Sequence, residues 1–120
     1  MIDDPKRYGS LDSKFDPEND VVLQLKYVSD LVKQVWRELG YFDYEEKPDD
    51  IEGILEYRPE HKYDSGDIYI GQFLKGTNIR HGKGVIIYKT GSVEASWYKN
   101  NKSNGKSRLI FCTGNAYEGP

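Results

Sequence analysis

The chain has a single cysteine, Cys112, among 120 residues, so no intrachain disulfide can staple it, and an intracellular, reducing setting is expected over a secreted one. It also lacks long apolar runs. Nothing approaches the ~20 apolar residues that a spanning helix needs, and the acidic start Met1-Ile2-Asp3-Asp4 carries neither a secretory core segment nor an Arg-rich presequence. Histidine is scarce: His61 and His81 are the only two, and neither stands near Cys112 or at metal-ligand spacing, so no metal or other cofactor is expected. No nucleophile is paired with a base, so the chain is expected not to be an enzyme. Asn104-Gly105-Lys106-Ser107 ends like a phosphate-binding loop, but Asn100 stands where the leading glycine belongs; it reads as a hairpin turn. Gly82-x-Gly84 lacks the third glycine and the helix of a dinucleotide site. Asn101-Lys102-Ser103 spells a glycosylation sequon that has meaning only on the secretory route. A net charge of −3, with basic residues scattered over turns, argues against nucleic acid.

What the chain does have is tyrosine, ten of them, and a sequence that repeats itself. Tyr69-x-Gly71-x-Phe73, Gly76, His81-Gly82-x-Gly84, Tyr88 and Gly91 are answered by Glu94-x-Ser96-x-Tyr98, Asn101, Asn104-Gly105-x-Ser107, Phe111 and Gly114, and Tyr117-Glu118-Gly119 opens a third pass. Gly66, Gly91 and Gly114 set periods of 25 and 23 residues, the extra two falling in the Thr77–Arg80 loop. Periods of this length mean a supersecondary unit stacked on copies of itself. Short aromatic and β-branched runs bounded by Gly, Asn and Lys make that unit a β-hairpin. Strands are expected at 53–57, 67–73, 84–88, 92–98, 108–112 and 115–119, with Arg58–Ser65 as an enlarged turn.

Successive strand residues point to opposite faces, so parity sorts the side chains. Tyr69, Phe73, Tyr88, Tyr98, Phe111 and Tyr117 share one face, expected to be an open groove that binds another protein, with Glu94 at its middle seeking a cation from the bound segment. The opposite face carries Ile68, Ile70, Val85, Ile87, Val93, Ala95, Trp97, Ile110 and Cys112. A glycine between two aromatics leaves a dent where a neighbouring ring can lie.

These motifs resemble the MORN-repeat family, built from Tyr-x-Gly-x-Trp and His-Gly-x-Gly hairpins, over residues 66–119. The second copy departs from the pattern at Glu94, Ser96, Asn101, Asn104 and Ser107. The resemblance implies a mainly β fold, a single-layer antiparallel sheet of stacked hairpins, with His81 at a turn. It implies a non-catalytic scaffold subunit that binds protein within a larger assembly, such as a ciliary, flagellar or other multi-subunit complex, in a cytoplasmic or cytoskeletal location. A repeat-bearing partner could then extend the sheet at 115–119, where the third hairpin stops at Pro120. Two alternatives accompany it: a peripheral membrane module binding anionic phospholipid through Lys75, Arg80, Lys83, Lys99, Lys102 and Lys106, and a regulatory or targeting module for a partner enzyme.

Ahead of the repeat, residues 1–56 hold 15 Asp/Glu against 7 Lys/Arg, and residues 57–120 hold 5 against 10, so the two halves attract. Residues 1–15 show no period and read as an extended arm. Over 16–40 a single helix is expected, capped by Asp16-Pro17-Glu18 and stopped by Gly40. Its apolar stripe is Val21, Leu25, Val28, Val32, Val35 and Leu39, widened by Val22, Leu31 and Trp36, and it is expected to dock on the aliphatic sheet face or on a partner. Residues 41–52 hold six carboxylates between Asp43 and Glu52 with only Lys47 opposing, and read as a solvated acidic linker before a 53–120 β domain.

Overall fold

One turn used three times sets the fold of residues 20–120, which the computed structural model describes. The Tyr63 amide donates to the Asp67 carbonyl at 2.9 Å and the Gly66 amide to the Tyr63 carbonyl at 3.0 Å; the same two bonds recur, all at 2.8 Å, at Tyr88–Ser92 and at Phe111–Asn115. Gly66, Gly91 and Gly114 hold φ of 95°, 96° and 97°, a region that side chains resist and glycine enters freely. The other hairpin ends differ. Leu74 and Ile79 close around residues 75–78, whereas Lys99 pairs with Lys102 across Asn100-Asn101 alone, both at positive φ, as a tight two-residue hairpin turn requires. The two residues by which the 75–78 loop exceeds this turn are the difference between the periods.

The strands β1 (Leu55–Lys62), β2 (Ile68–Leu74), β3 (Arg80–Ile87), β4 (Val93–Lys99), β5 (Lys102–Ile110) and β6 (Ala116–Gly119) form one six-stranded antiparallel sheet in chain order. Gly71 pairs with Gly84 but Phe73 with Arg80, and Ser96 pairs with Ser107 but Tyr98 with Ser103. Each return strand therefore bulges, around Gly82 at φ 106° or Gly105 at φ 116°. This corrects two expectations: His81-Gly82 and Asn104-Gly105 bend strands and do not close hairpins. Nor is Arg58–Ser65 an enlarged turn. β1 runs on to Lys62, with Pro59 in an irregularity between Arg58 and His61, on an edge strand where a missing amide hydrogen need break no ladder bond.

Two short helices, α1 (Val21–Gln24) and α2 (Asp30–Leu39), replace the single helix expected over 16–40; Asp16-Pro17-Glu18 and the 1–15 arm lie outside the described residues. Asp20 caps α1 and Ser29 caps α2, each side chain accepting an amide of the following turn. The chain folds back because Trp36 Nε1 donates to Asp20 Oδ2 at 2.9 Å, groups that a continuous helix would hold ~24 Å apart. Val21, Val22, Leu23, Val28, Val32 and Trp36 are buried with Ile68, Ile70, Val85, Ile87, Val93, Ala95, Trp97 and Ile110 in one core, Leu25 and Val35 packing against it. The helical segment thus docks on the aliphatic face. Cys112 is exposed because β5 ends at Ile110 and the turn carries it out of the row. Leu39 is also exposed, as Gly40 turns the chain away after it.

Residues 41–52 are a strap across the sheet and not a solvated linker. Alternation explains it: Phe42 and Tyr44, with Ile51, enter the core, while Asp43 and Glu45 face out. Trp97 Nε1 donates to the Tyr44 carbonyl at 2.7 Å and Tyr44 Oη to the Gly84 carbonyl at 3.2 Å. The two bulges hold the strap at equivalent positions, His81 Nε2 meeting the Glu52 carbonyl at 2.6 Å and Asn104 Nδ2 donating to Asp50 Oδ1 at 3.1 Å. Since His81 Nδ1 accepts from the Asn100 amide, the proton sits on Nε2 and points at the strap. Hydrogen bonds from Lys99 and Asn104 hold the Asp50 carboxyl below its usual range.

Candidate functional site

The aromatic face is closed over the middle of the sheet. Tyr69, Phe73 and Tyr98 are buried with Ile86, and Tyr63 and Tyr88 pack against them, so the expected open groove is absent there. The four buried members are strand residues and the two packed tyrosines open the turns that follow β1 and β3, and long side chains of the sheet cover the cluster. The Arg58 guanidinium lies 3.7 Å from the Phe73 ring centroid, pinned by Asn78 Oδ1 and the Thr77 carbonyl. Arg80 lies 5.4 Å and 5.9 Å from the Tyr63 and Tyr69 rings, pinned by the Asn101 carbonyl. Guanidinium planes suit such stacking, being flat and weakly hydrated. Within the cluster Tyr69 meets Phe73 and Tyr98 edge-on at 5.0 Å and 5.5 Å.

The dent expected between aromatics is real in the first copy. A Cβ at Gly84 would lie 2.2 Å from Tyr69 Oη and 2.4 Å from its ring carbons; the ring rests on bare backbone, and its hydroxyl donates to the Gln72 carbonyl at 2.7 Å. In the second copy Glu94 stands at the tyrosine position, so no ring covers the equivalent Ser107, and a side chain fits there. Glu94 and Ser107 are therefore one coupled departure from the repeat. Glu94 needs no cation: its Oε1 accepts from Tyr88 Oη at 2.8 Å and from Tyr98 Oη at 3.3 Å. Burial, then the bond to Glu94, raises the Tyr88 hydroxyl pKa far beyond the physiological range.

At β5 and β6 the same face opens. Leu109 pairs with Tyr117 and continues the row, but Phe111 and Tyr117 are 44% and 50% exposed. The groove predicted from Tyr69, Phe73, Tyr88, Glu94, Tyr98, Phe111 and Tyr117 thus divides into a packed cluster and an exposed end. Nor do the six cations form one surface. Lys83 lies over Tyr44 and Trp97 beneath the strap, Lys106 and Lys99 pair with Glu45 and Asp50, and Arg80 roofs the tyrosines; Lys75 and Lys102 are exposed.

Arg108 escaped the sequence reading. It is 2% exposed, donates to Glu118 at 2.7 Å and to the Gly40 carbonyl at 2.6 Å, and lies 4.7 Å from the Trp36 ring, joining sheet, strap and α2. Its signal was an arginine at an aliphatic-parity position, opposite Ala95. Among the described residues, no three His, Cys, Asp or Glu side chains are grouped to hold a metal, and no helix is long and apolar enough to cross a membrane. Compared with known proteins, the chain matches no family model and no curated sequence.

Proposed function

We propose that this chain is a non-catalytic, MORN-like protein-binding module, a structural subunit whose contact surface is the β5–β6 end of the aromatic face. One observation carries this reading: rings buried over β2–β4 give way, past half-buried Leu109, to exposed Phe111 and Tyr117, an aromatic surface of the kind enriched at protein interfaces. The three identical turns and the matched bulges support the kinship to stacked MORN hairpins. Anionic lipid is the weaker reading, since Lys83, Lys99, Lys106 and Arg80 are engaged within the fold. The test is pull-down from native cells with the full chain. Phe111→Ser with Tyr117→Ser should abolish partner recovery while Lys75→Glu with Lys102→Glu leaves it intact. Loss with the lysine pair alone, together with flotation on anionic liposomes, would transfer the function to the membrane surface.

A further inference from the structure

We infer that the Asn100-Asn101 turn couples the two faces of the sheet, so that releasing the arginine over the tyrosines on one face loosens the strap on the other. The coupling belongs to the packed middle of the sheet and does not rest on the protein-binding reading above.

Arg80 and His81 are consecutive residues of β3, so their side chains leave on opposite faces. The Arg80 guanidinium lies over the Tyr63 and Tyr69 rings, and His81 Nε2 reaches the Glu52 carbonyl of the strap. Both residues are held by the turn between β4 and β5. The Arg80 amide donates to Asn101 Oδ1 and its Nη2 to the Asn101 carbonyl, each at 2.8 Å, and the Asn101 amide returns a bond to the Arg80 carbonyl at 3.0 Å. One residue earlier, the Asn100 amide donates to His81 Nδ1 at 3.2 Å. Four hydrogen bonds thus fix one dipeptide against the other. Asn100 and Asn101 are also both at positive φ, a conformation that persists in such residues where the surroundings fix it.

The imidazole carries the effect across the sheet. Which ring nitrogen of a histidine holds the proton is set by the bond that the other makes. The Asn100 amide makes Nδ1 an acceptor and so commits the Nε2 proton to Glu52. A turn that swings away with Arg80 withdraws that amide, and the strap loses the donor that was aimed at it. Linkage makes the effect reciprocal: release of the strap loosens the arginine by the same factor.

Elsewhere in the sheet the two functions are separate. Arg58 covers Phe73 and is anchored to a loop in the same manner, through Asn78 Oδ1 and the Thr77 carbonyl, but Pro59 follows it and has no side-chain donor to offer the strap. At the second bulge Asn104 ties the strap through Asp50, but Ser103 precedes it, bonded to Ser96 Oγ at 2.7 Å, and brings no guanidinium. Arg58 is therefore the internal control for Arg80.

The experiment follows amide exchange by NMR in the full chain. Ile51, whose amide donates to the Pro48 carbonyl, reports on the strap, and Ala95 in β4 reports on opening of the whole domain. The quantity read is the ratio of the two exchange rates, Ile51 over Ala95. Arg80→Met, a change confined to the aromatic face, should raise that ratio about fivefold or more. Asn101→Gly should raise it too, since it suits the turn but deletes the acceptor of the Arg80 amide; it also serves if Arg80→Met does not fold. Arg58→Met, which strips a guanidinium anchored to the other loop, should leave the ratio unchanged. A ratio that stays constant in Asn101→Gly or in folded Arg80→Met overturns the inference, because the strap then holds without the turn. An equal rise in Arg58→Met also overturns it, since loss of any cover would then suffice.

Discussion

The two faces of this sheet are both apolar, and they are closed by different means. The aliphatic face is covered from outside: α1, α2 and the strap lay Val22, Val32, Trp36, Phe42 and Ile51 on it, and its stability is the ordinary hydrophobic term of removing such side chains from water. The aromatic face is covered from within, by rings lying on glycine and by two arginines folded back over them. A face closed by other elements is closed along its whole length. A face closed by its own side chains stays closed only where each strand supplies them, and at the β6 end of the described sheet Phe111 and Tyr117 are exposed.

Substitutions separate the two modes of closure. The largest effect is expected on the aliphatic side: Val32→Asp puts an unpaired carboxylate in a dry core and should cost about 3–5 kcal/mol by denaturant unfolding, with Leu25→Asp costing less because Leu25 is only half-buried. An unchanged midpoint for Val32→Asp would mean that the helices are not needed to close this face. On the aromatic side the effect should be smaller and dependent on a neighbour. Gly84→Ser forces a side chain into the Tyr69 ring and should cost about 1–3 kcal/mol, whereas in a Tyr69→Ala background the same change should cost little, reproducing the ringless setting of Ser107. Additive losses in that double-mutant cycle would refute the dent as a ring seat. Next, Arg58→Ala removes the cover from Phe73 and should lower stability by about 1 kcal/mol, read as a shift of the urea midpoint.

The smallest effect concerns pH and returns to the covered face. Burial raises the Asp20 pKa above its ordinary value, against the opposing bonds from Trp36 and Val22. The folded state therefore binds this proton more tightly than the unfolded state, whose carboxyl titrates near about 3.9. Stability relative to Asp20→Asn should fall as pH rises from below that value through the raised folded pKa, then level off. A wild-type stability that falls relative to Asp20→Asn on acidification would reverse the assignment.

The alternation of residue types made the aliphatic face legible, because Ile68, Ile70, Val85, Ile87, Val93, Ala95, Trp97 and Ile110 share parity with no competing signal. Covering was not legible. Arg58 and Arg80 read as surface cations in any pattern of types, and only three-dimensional register brings them over Phe73 and Tyr69. The helix break was masked because the apolar spacing runs unbroken from Val21 to Leu39, and Ser29, which caps α2, sits inside that period. In the strap, six carboxylates outweighed Phe42, Tyr44 and Ile51, although in an extended segment alternate residues serve opposite sides. Glu94 was misplaced for a related reason. A carboxylate among rings suggests an absent cation unless the rings are tyrosines, which carry their own donors.

The way the strap is tied also bears on how the chain folds in time. Every strand pairs with its immediate neighbour in sequence, so the sheet closes only short loops, while Tyr44 to Gly84, Trp97 to Tyr44 and Arg108 to Gly40 bridge 40, 53 and 68 residues. Loop-closure entropy favours the short connections first. The meander is then the nucleus and the clasp the last step. Removing the clasp with Arg108→Met should leave the refolding rate almost unchanged and speed unfolding, the signature of a contact absent from the transition state. The strap would in that case be a latch set after folding, one that governs how long the native chain persists more than how quickly it forms.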